Sequence, residues 1–480
     1  MTVASVAQDL IVELLSDIFL ECLPEDGLAR MQQKEAPLNV SHVCRHWRFV
    51  SCSTHRLWTG LSVRCATDEI TSKYALPTLQ AFLQRSGSAD FHLKINCRKD
   101  NADAHSTSDS WPPIEVLLHE LTDENERIKS LALVVPQAHS KDVLEFTINT
   151  LPVLDHLSFQ FLNDQSYPWL GLDKRFWMAA SRLVSLEFNG PSNFMYVLDD
   201  IEISTLKHLA FNAFTYTALL HILDSCPALE SLYFSPAEDS AFVLIGSDGL
   251  AMDAPKQRHY PSIQVLEVQA DVRTDTSMLC EFFKLARFPN LRRLIVPLSD
   301  FMMSDFATLL AASHPPLEEL YLVNDEPSYD EESLIRILKS LPKLKKLRIQ
   351  LHQAVMQALI WFDVGIRGKT CPLLEEVTLV IKEMTFAESV QTWIDTEDMI
   401  RSRWEVPISC LSAAAKSRTS TSTHSIAAPK NLRKINFPAI KEEHWKKHPF
   451  YRRIKDCLDE GLIVGFHDNV GNMRSKSRDI

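Results

Sequence analysis

Glycine is scarce, at 12 of 480 residues. Loops that cradle phosphates and tight barrel turns consume glycine, so the count speaks against nucleotide-binding and glycine-hinged folds. Catalytic signatures are missing as well: there is no G-x-S-x-G, H-E-x-x-H, P-loop or G-x-G-x-x-G pattern. No apolar run approaches the roughly eighteen residues of a membrane span. The opening MTVASVAQDL has no basic region before its apolar residues, so no signal peptide is expected. None of the ten cysteines forms a C-x-x-C pair. They read as mostly buried thiols in a reducing compartment, cytoplasmic and/or nuclear. A basic excess is absent too, and the net charge of −12 argues against general nucleic-acid binding.

What is present begins with an ordinary apolar fraction of 45%, enough for a sizeable core. The length allows either several domains or one small module and a long array. The first segment reads DLIVELLSDIFLECLPE, then an insertion, then APLNVSHVCRHWRFVSCSTHRLWTGLSV. Leu14, Leu15, Ile18, Phe19 and Cys22 fall at helical spacing on one stripe, and Val40, Val43, Cys44 and Trp47 on another. So short a segment cannot bury that much apolar surface alone and must present a face to something else.

This segment resembles the F-box in the variant common in fungal proteins. Leu10 fills the first position, Glu13-Leu14-Leu15 the second and Ile18-Phe19 the third. Val43-Cys44, Trp47 and Leu57-Trp58 complete the pattern. It departs from the family at Ile11, where proline is usual, and at Pro24 to Pro37, a longer connection than the short pattern has. The resemblance implies docking on a Skp-type adaptor through Leu10, Ile11, Leu14, Leu15, Ile18, Phe19, Val43, Cys44 and Trp47. It also implies that Leu57 and Trp58 pack the module toward the body of the chain.

In that body a unit L-x-x-L-x-φ recurs, usually after proline. It appears as LPVLDHLSF, CPALESLYF, YPSIQVLEV, FPNLRRLIV, HPPLEELYL, LPKLKKLRI and CPLLEEVTL, and without proline as SRLVSLEF, STLKHLAF and KNLRKINF. Each alternates apolar and polar positions as a half-buried strand does. Helical patterns precede several units, as in TALLHILDS, EFFKLARF and SLIRILKS. Proline there stops the helix and turns the chain toward extended geometry. The spacing and the unit resemble leucine-rich repeats of degenerate type, without the asparagine or cysteine that normally follows the strand. The expected fold class is therefore α/β: a small N-terminal helical F-box-like module, then an irregular leucine-rich-repeat solenoid of parallel strands backed by helices.

Interruptions set the expected boundaries. The F-box-like module spans 1–65, and a connecting segment with a first irregular repeat spans 66–127. The array spans 128–384. Residues 385–429 form an insertion with a disordered Ser/Thr/Ala-rich linker, 430–468 a terminal repeat and capping element, and 469–480 a disordered tail. Arg98 to Pro113 reads as a loose loop, and Ser235 to His259 lengthens one repeat.

No constellation points to catalysis, a cofactor or a metal. His42 and His46 flank Cys44 at a spacing that suits one helix face, but the bland reading, a solvated or partner-facing surface, is better. His444 and His448 repeat that spacing without further ligands. Nine Lys or Arg residues between Lys430 and Lys455 read as a solvated face rather than a phosphate-docking site, with Lys343, Lys345, Lys346 and Arg348 as candidates to extend it. On the strands, residues between the leucines point to the exposed face. They include His156, Glu187, His208, Tyr233, Glu267, Arg293, Tyr321 and Arg348, a mix suited to protein recognition.

By resemblance the chain is a substrate-recognition subunit of a Skp-cullin-F-box ubiquitin ligase. The adaptor connects it to a cullin, the repeats hold an unknown substrate protein, and catalysis resides in the partners. Alternatives are an F-box protein in a complex without ubiquitin transfer, a repeat scaffold with no ligase role, and an enzyme on an α/β scaffold. No nucleic-acid or membrane partner is expected.

Overall fold

The computed structural model describes residues 10–30, 32–64, 69–97, 114–136, 143, 146–147, 151–162, 182–189, 203–212, 216–235, 257–269, 277–297, 302–323, 331–359, 370–380, 386–404, 432–437, 446, 449–459 and 461–466. The chain divides into two compact units, the first ending at Leu229 and the second starting at Glu230. The sequence expectations for Arg98 to Pro113, for 405–429 and for 469–480 fall outside the described residues, as do His444 and His448.

The first unit holds α1 (Val12–Glu21), β1 (Ala29–Arg30), α2 (Leu38–Ser41), α3 (Arg45–Ser53), β2 (Gly60–Arg64), α4 (Glu69–Ser86) and β3 (Phe91–Asn96). It continues with α5 (Ile114–Glu120), β4 (Ile128–Pro136), β5 (His156–Leu162), β6 (Ser185–Asn189), β7 (His208–Asn212) and α6 (Tyr216–Ser225). Strands β1 to β7 pair in sequence order, all parallel. Parallel neighbours need a crossover each, which is why every strand is followed by a long return.

The second unit holds β8 (Ser231–Ser235), β9 (Arg258–His259), β10 (Val265–Val268), α7 (Ser277–Leu285), β11 (Ala286–Arg287), β12 (Arg293–Pro297), α8 (Met302–Ser313), β13 (Glu319–Val323) and α9 (Glu331–Lys339). Then come β14 (Lys346–Gln350), α10 (Gln353–Leu359), β15 (Glu376–Val380), α11 (Phe386–Trp404), β16 (Lys434–Asn436), α12 (Pro449–Arg453), α13 (Lys455–Asp459) and β17 (Ile463–Gly465). Strands β8, β10 and β12 to β17 form one parallel series, and β9 pairs separately with β11. Helix α7 packs on α8, α8 on α9, α9 on α10 and α10 on α11. Each repeat thus meets its neighbours, the pattern of a solenoid-like array.

The repeated leucines explain the register. Leu232, Leu266, Leu294, Leu320, Leu347, Val377 and Ile435 are level across the second sheet and are all buried. A second column, Leu291, Leu317, Leu344, Leu374 and Leu432, is buried at the turns that enter the strands. Burying each such side chain is worth about 1.5–3 kcal/mol, so the columns dominate the stability of the array. The missing asparagine ladder is replaced by backbone. The Arg292 carbonyl accepts from the amides of Glu318 and Glu319, Glu318 from Lys345 and Lys346, Lys345 from Glu375 and Glu376, and Glu375 from Arg433 and Lys434. One carbonyl with two lone pairs serves two donors at every step, so the entry turns are satisfied without a special side chain.

Two elements go beyond the sequence reading. The Pro24–Pro37 connection carries β1, an edge strand on the same sheet as the repeats. The first half of the 385–429 insertion is α11, which packs on α10 like any other repeat helix. There Arg403 is 7% exposed and donates to the carbonyls of Leu359, Thr370 and Cys371 at 2.8–3.0 Å.

Candidate functional site

Helix α1 starts after Ile11 in extended geometry, with no side-chain cap. Its apolar residues cover so wide a stripe that one neighbour cannot bury them all. Leu15 and Phe19 point inward and are fully buried, with the Phe19 ring 5.0 Å from Trp47. Ser16 bonds Thr54 at 2.8 Å, fixing α1 against the end of α3. The other edge of the stripe faces out: Ile11 is 59% exposed, Leu14 50% and Ile18 45%. These three are spaced i, i+3 and i+7, one face of the helix.

The sequence assigned Leu15 and Phe19 to docking, and the structure corrects that. They form the floor that holds the outer residues in place. Cys44 is also reassigned: it is half-buried, and its thiol accepts from the Trp47 amide at 3.4 Å as the N-cap of α3. Trp47 is half-buried beneath Phe19, and Leu10 is half-buried ahead of α1. Val43, by contrast, is 60% exposed. Phe49, which the sequence reading passed over, is 67% exposed on α3. Its signal was a phenylalanine off the apolar stripe of its own helix. Of the ten exposed large hydrophobic residues in the described chain, Ile11, Val12, Leu14, Ile18, Val43 and Phe49 lie on α1, α3 and the turn before α3. The other four are scattered.

Leu57 and Trp58 are both buried. The Trp58 indole donates to the Ser51 carbonyl at 2.8 Å, and its ring meets Phe82 of α4 edge-on at 4.9 Å. Arg85 of α4 lies 4.3 Å over the same ring. Trp58 therefore joins the N-terminal helices to the first crossover helix.

The strand-face candidates occupy two rows. His156, His208 and Arg293 precede the second leucine of their repeats, whereas Glu187, Tyr233, Glu267, Tyr321 and Arg348 follow it. In the first unit, His156 and His208 flank Ser185 in one row, and Ser158 donates to Glu187 at 2.9 Å in the next. In the second unit, Tyr233 is level with Glu267, and Tyr321 with Arg348. Arg293 lies 5.7 Å over the Tyr321 ring, and the Tyr321 hydroxyl donates to Glu319 at 3.3 Å. Burial pushes the phenols of Tyr233 and Tyr321 up, so both stay neutral donors at ordinary pH. Glu267 is a correction: it is 5% exposed and accepts from Gln269, so it supports the face rather than presenting itself.

Of the basic residues, Lys345, Lys346, Arg433 and Lys434 stand on the strand face beside carboxylates. Lys345 and Lys346 bond Glu318 and Glu319 at 2.5 and 2.6 Å. Arg433 and Lys434 reach Glu375 and Glu376 at 3.9 and 3.0 Å. With Arg292 and Arg293 against the same Glu318 and Glu319, these residues alternate in sign across neighbouring strands. They form two ladders, each of three cations bridged by two carboxylates. Among the described residues no group of three or more His, Cys, Asp or Glu side chains could hold a metal, and no helix is long and apolar enough to cross a membrane. Of the eight described cysteines, Cys97, Cys226, Cys371 and Cys457 are buried.

No protein-family model matches the chain. No curated protein matches it either. Among solved structures it is similar to the crystal structure of the Rad7 and Elc1 complex in yeast, at 13% identity and a TM-score of 0.38, over 70% of this chain and 74% of that one.

Proposed function

We propose that this chain is a non-enzymatic substrate receptor. Its N-terminal helices dock on a Skp-type adaptor, which links it to a cullin, and its repeats hold a substrate protein. The observation that carries the reading is the concentration of exposed apolar side chains on α1, α3 and the turn before α3, which include Leu14, Ile18 and Val43 of the F-box resemblance. Large apolar residues left in water on adjoining elements mark a protein contact. The half-buried Tyr, Arg and His residues of the sheet face suit a second protein partner. Chemistry would then lie in the partners, and this chain would contribute proximity, which makes transfer effectively intramolecular.

The test is direct. Leu14→Asp with Ile18→Asp should abolish co-purification with the adaptor and leave the urea midpoint nearly unchanged, since both side chains are at the surface. Undiminished capture of adaptor by that variant would overturn the assignment. Recovery of adaptor without cullin from the wild type would place the chain in a complex without ubiquitin transfer.

A further inference from the structure

Histidine and serine alternate along one row of the first sheet. His92 of β3 is level with Ser130 of β4, Ser130 with His156 of β5, and His156 with Ser185 of β6. Next along these strands, Leu93, Leu131, Leu157 and Leu186 are buried on the other face. Side chains alternate between faces, so the polar row stands together away from the core. All four polar residues are half-buried. None of their side chains makes a hydrogen bond among the described residues. His208 of β7, level with Ser185, continues the alternation.

The spacing of the row selects a ligand. Neighbouring strands lie about 4.8 Å apart, so His92 and His156 spring from points about 9.6 Å apart, with the short Ser130 between them. A bridging metal needs its two imidazole nitrogens roughly 4 Å apart, twice one bond length. A carboxylate that accepts one N–H on each oxygen needs them roughly 8 Å apart. Only the second comes close to the strand spacing, and the Ser130 hydroxyl lies at the midpoint as a third donor.

Charge points the same way. Around the pair stand Asp90 and Lys94 at β3, Lys129 of β4, Asp155 ahead of β5 and Glu187 of β6, whereas β2 brings only Gly60 level with His92. Lys129 pairs with Asp155 at 3.6 Å, and Glu187 accepts from Ser158. Burial holds the His92 pKa below its usual value and the charge of His156 adds to that, while Asp90 and Asp155 oppose it. An anion seated between the two imidazoles acts in the opposite direction and draws protons onto them. The three carboxylates nearby favour a ligand of single charge over a dianion.

We propose that this row binds an acidic segment of a protein substrate, with one Asp or Glu carboxylate seated over Ser130 between His92 and His156, and that both imidazoles take up protons as it binds. Ser185 offers a further hydroxyl to the same segment. The proposal rests on the reading of the repeats as a substrate surface and names the chemistry that this surface selects.

The probe is a dye-labelled, end-capped peptide that alternates glutamate with serine, added to the full chain without adaptor at constant ionic strength. Its anisotropy should show saturable binding at about pH 6 that weakens about tenfold or more by about pH 8, because proton uptake is linked to binding. The same peptide with glutamine for glutamate should not bind. His92→Gln with His156→Gln keeps hydrogen-bonding groups that cannot titrate, and should remove the pH dependence with most of the affinity. Ser130→Asp sets a carboxylate where that of the ligand sits and should block binding, which keeps the test decisive if the double variant folds poorly. Absence of saturable binding by the wild type at the lower pH would overturn the proposal. So would equal binding of the glutamine peptide, tighter binding of a phosphoserine peptide, or undiminished binding by the His92/His156 variant. Adaptor capture by the wild type and its loss in the Leu14/Ile18 variant are separate readouts, so failure of this site and failure of the receptor reading are told apart.

Discussion

Arg403 shows how one side chain can hold a repeat together. It is buried, and its guanidinium serves three carbonyls, from the last turn of α10 and the segment before β15. Desolvation lowers its pKa to about 10, which still leaves it charged at neutral pH. Arg403→Met keeps volume but orphans those carbonyls. A loss of about 3 kcal/mol in urea unfolding is expected. Arg403→Lys should recover little, because a single ammonium cannot span three acceptors that a planar fork can. Full recovery by lysine would show that only the charge matters. Arg127 does a similar job in the first unit, donating to the Leu83 carbonyl at 3.1 Å and also to Gly87 and Ser86.

At the scale of elements, the charge ladders of β12 to β16 set a pH dependence. The hydrogen bond from Lys345 holds the Glu318 carboxyl below its usual range. Burial opposes the Glu376 charge, but the Lys434 and Asn436 hydrogen bonds outweigh it, so that carboxyl is lowered too. A carboxylate lowered in the fold stabilises above its unfolded pKa, about 4.3 for Glu, and the gain is lost as pH falls through the folded value. The urea midpoint should therefore drop between about pH 5 and 3. It should drop less steeply in Glu318→Gln with Glu376→Gln; equal slopes would show that the ladders contribute nothing. The strands themselves were legible because two leucines per repeat mark them. The ladders were not, since unequal intervals between repeats hide which residues stand level. Strand β4 opens at Ile128, where the array is expected to start, but is not among the units that read as repeats: Ile128-x-x-Leu131-x-Leu133 combines a missing proline with an opening isoleucine, departures that other units show singly. On α1 the stripe was legible, but its division was not. Leu14 and Leu15 look alike in sequence, and only the packing of Trp47 against Phe19 decides which side is the floor.

For the whole molecule, separability is the central expectation, because within each unit the main contacts join elements that are near neighbours in the chain. The docking candidates sit in the first compact unit and Arg403 in the second. Where each repeat meets only its neighbours, perturbations stay local and distant changes add. Arg403→Met should then leave adaptor capture unchanged at temperatures where the chain is folded. The triple variant Leu14→Asp, Ile18→Asp, Arg403→Met should lose the sum of the separate stability changes to within about 0.5 kcal/mol. Additivity would mean that the exposed residues of α1 are energetically independent of the Arg403 repeat, as expected of a face kept for a partner rather than for the array. A coupling well above that margin would instead make the N-terminal helices a cap on the array, and their apolar face a structural feature.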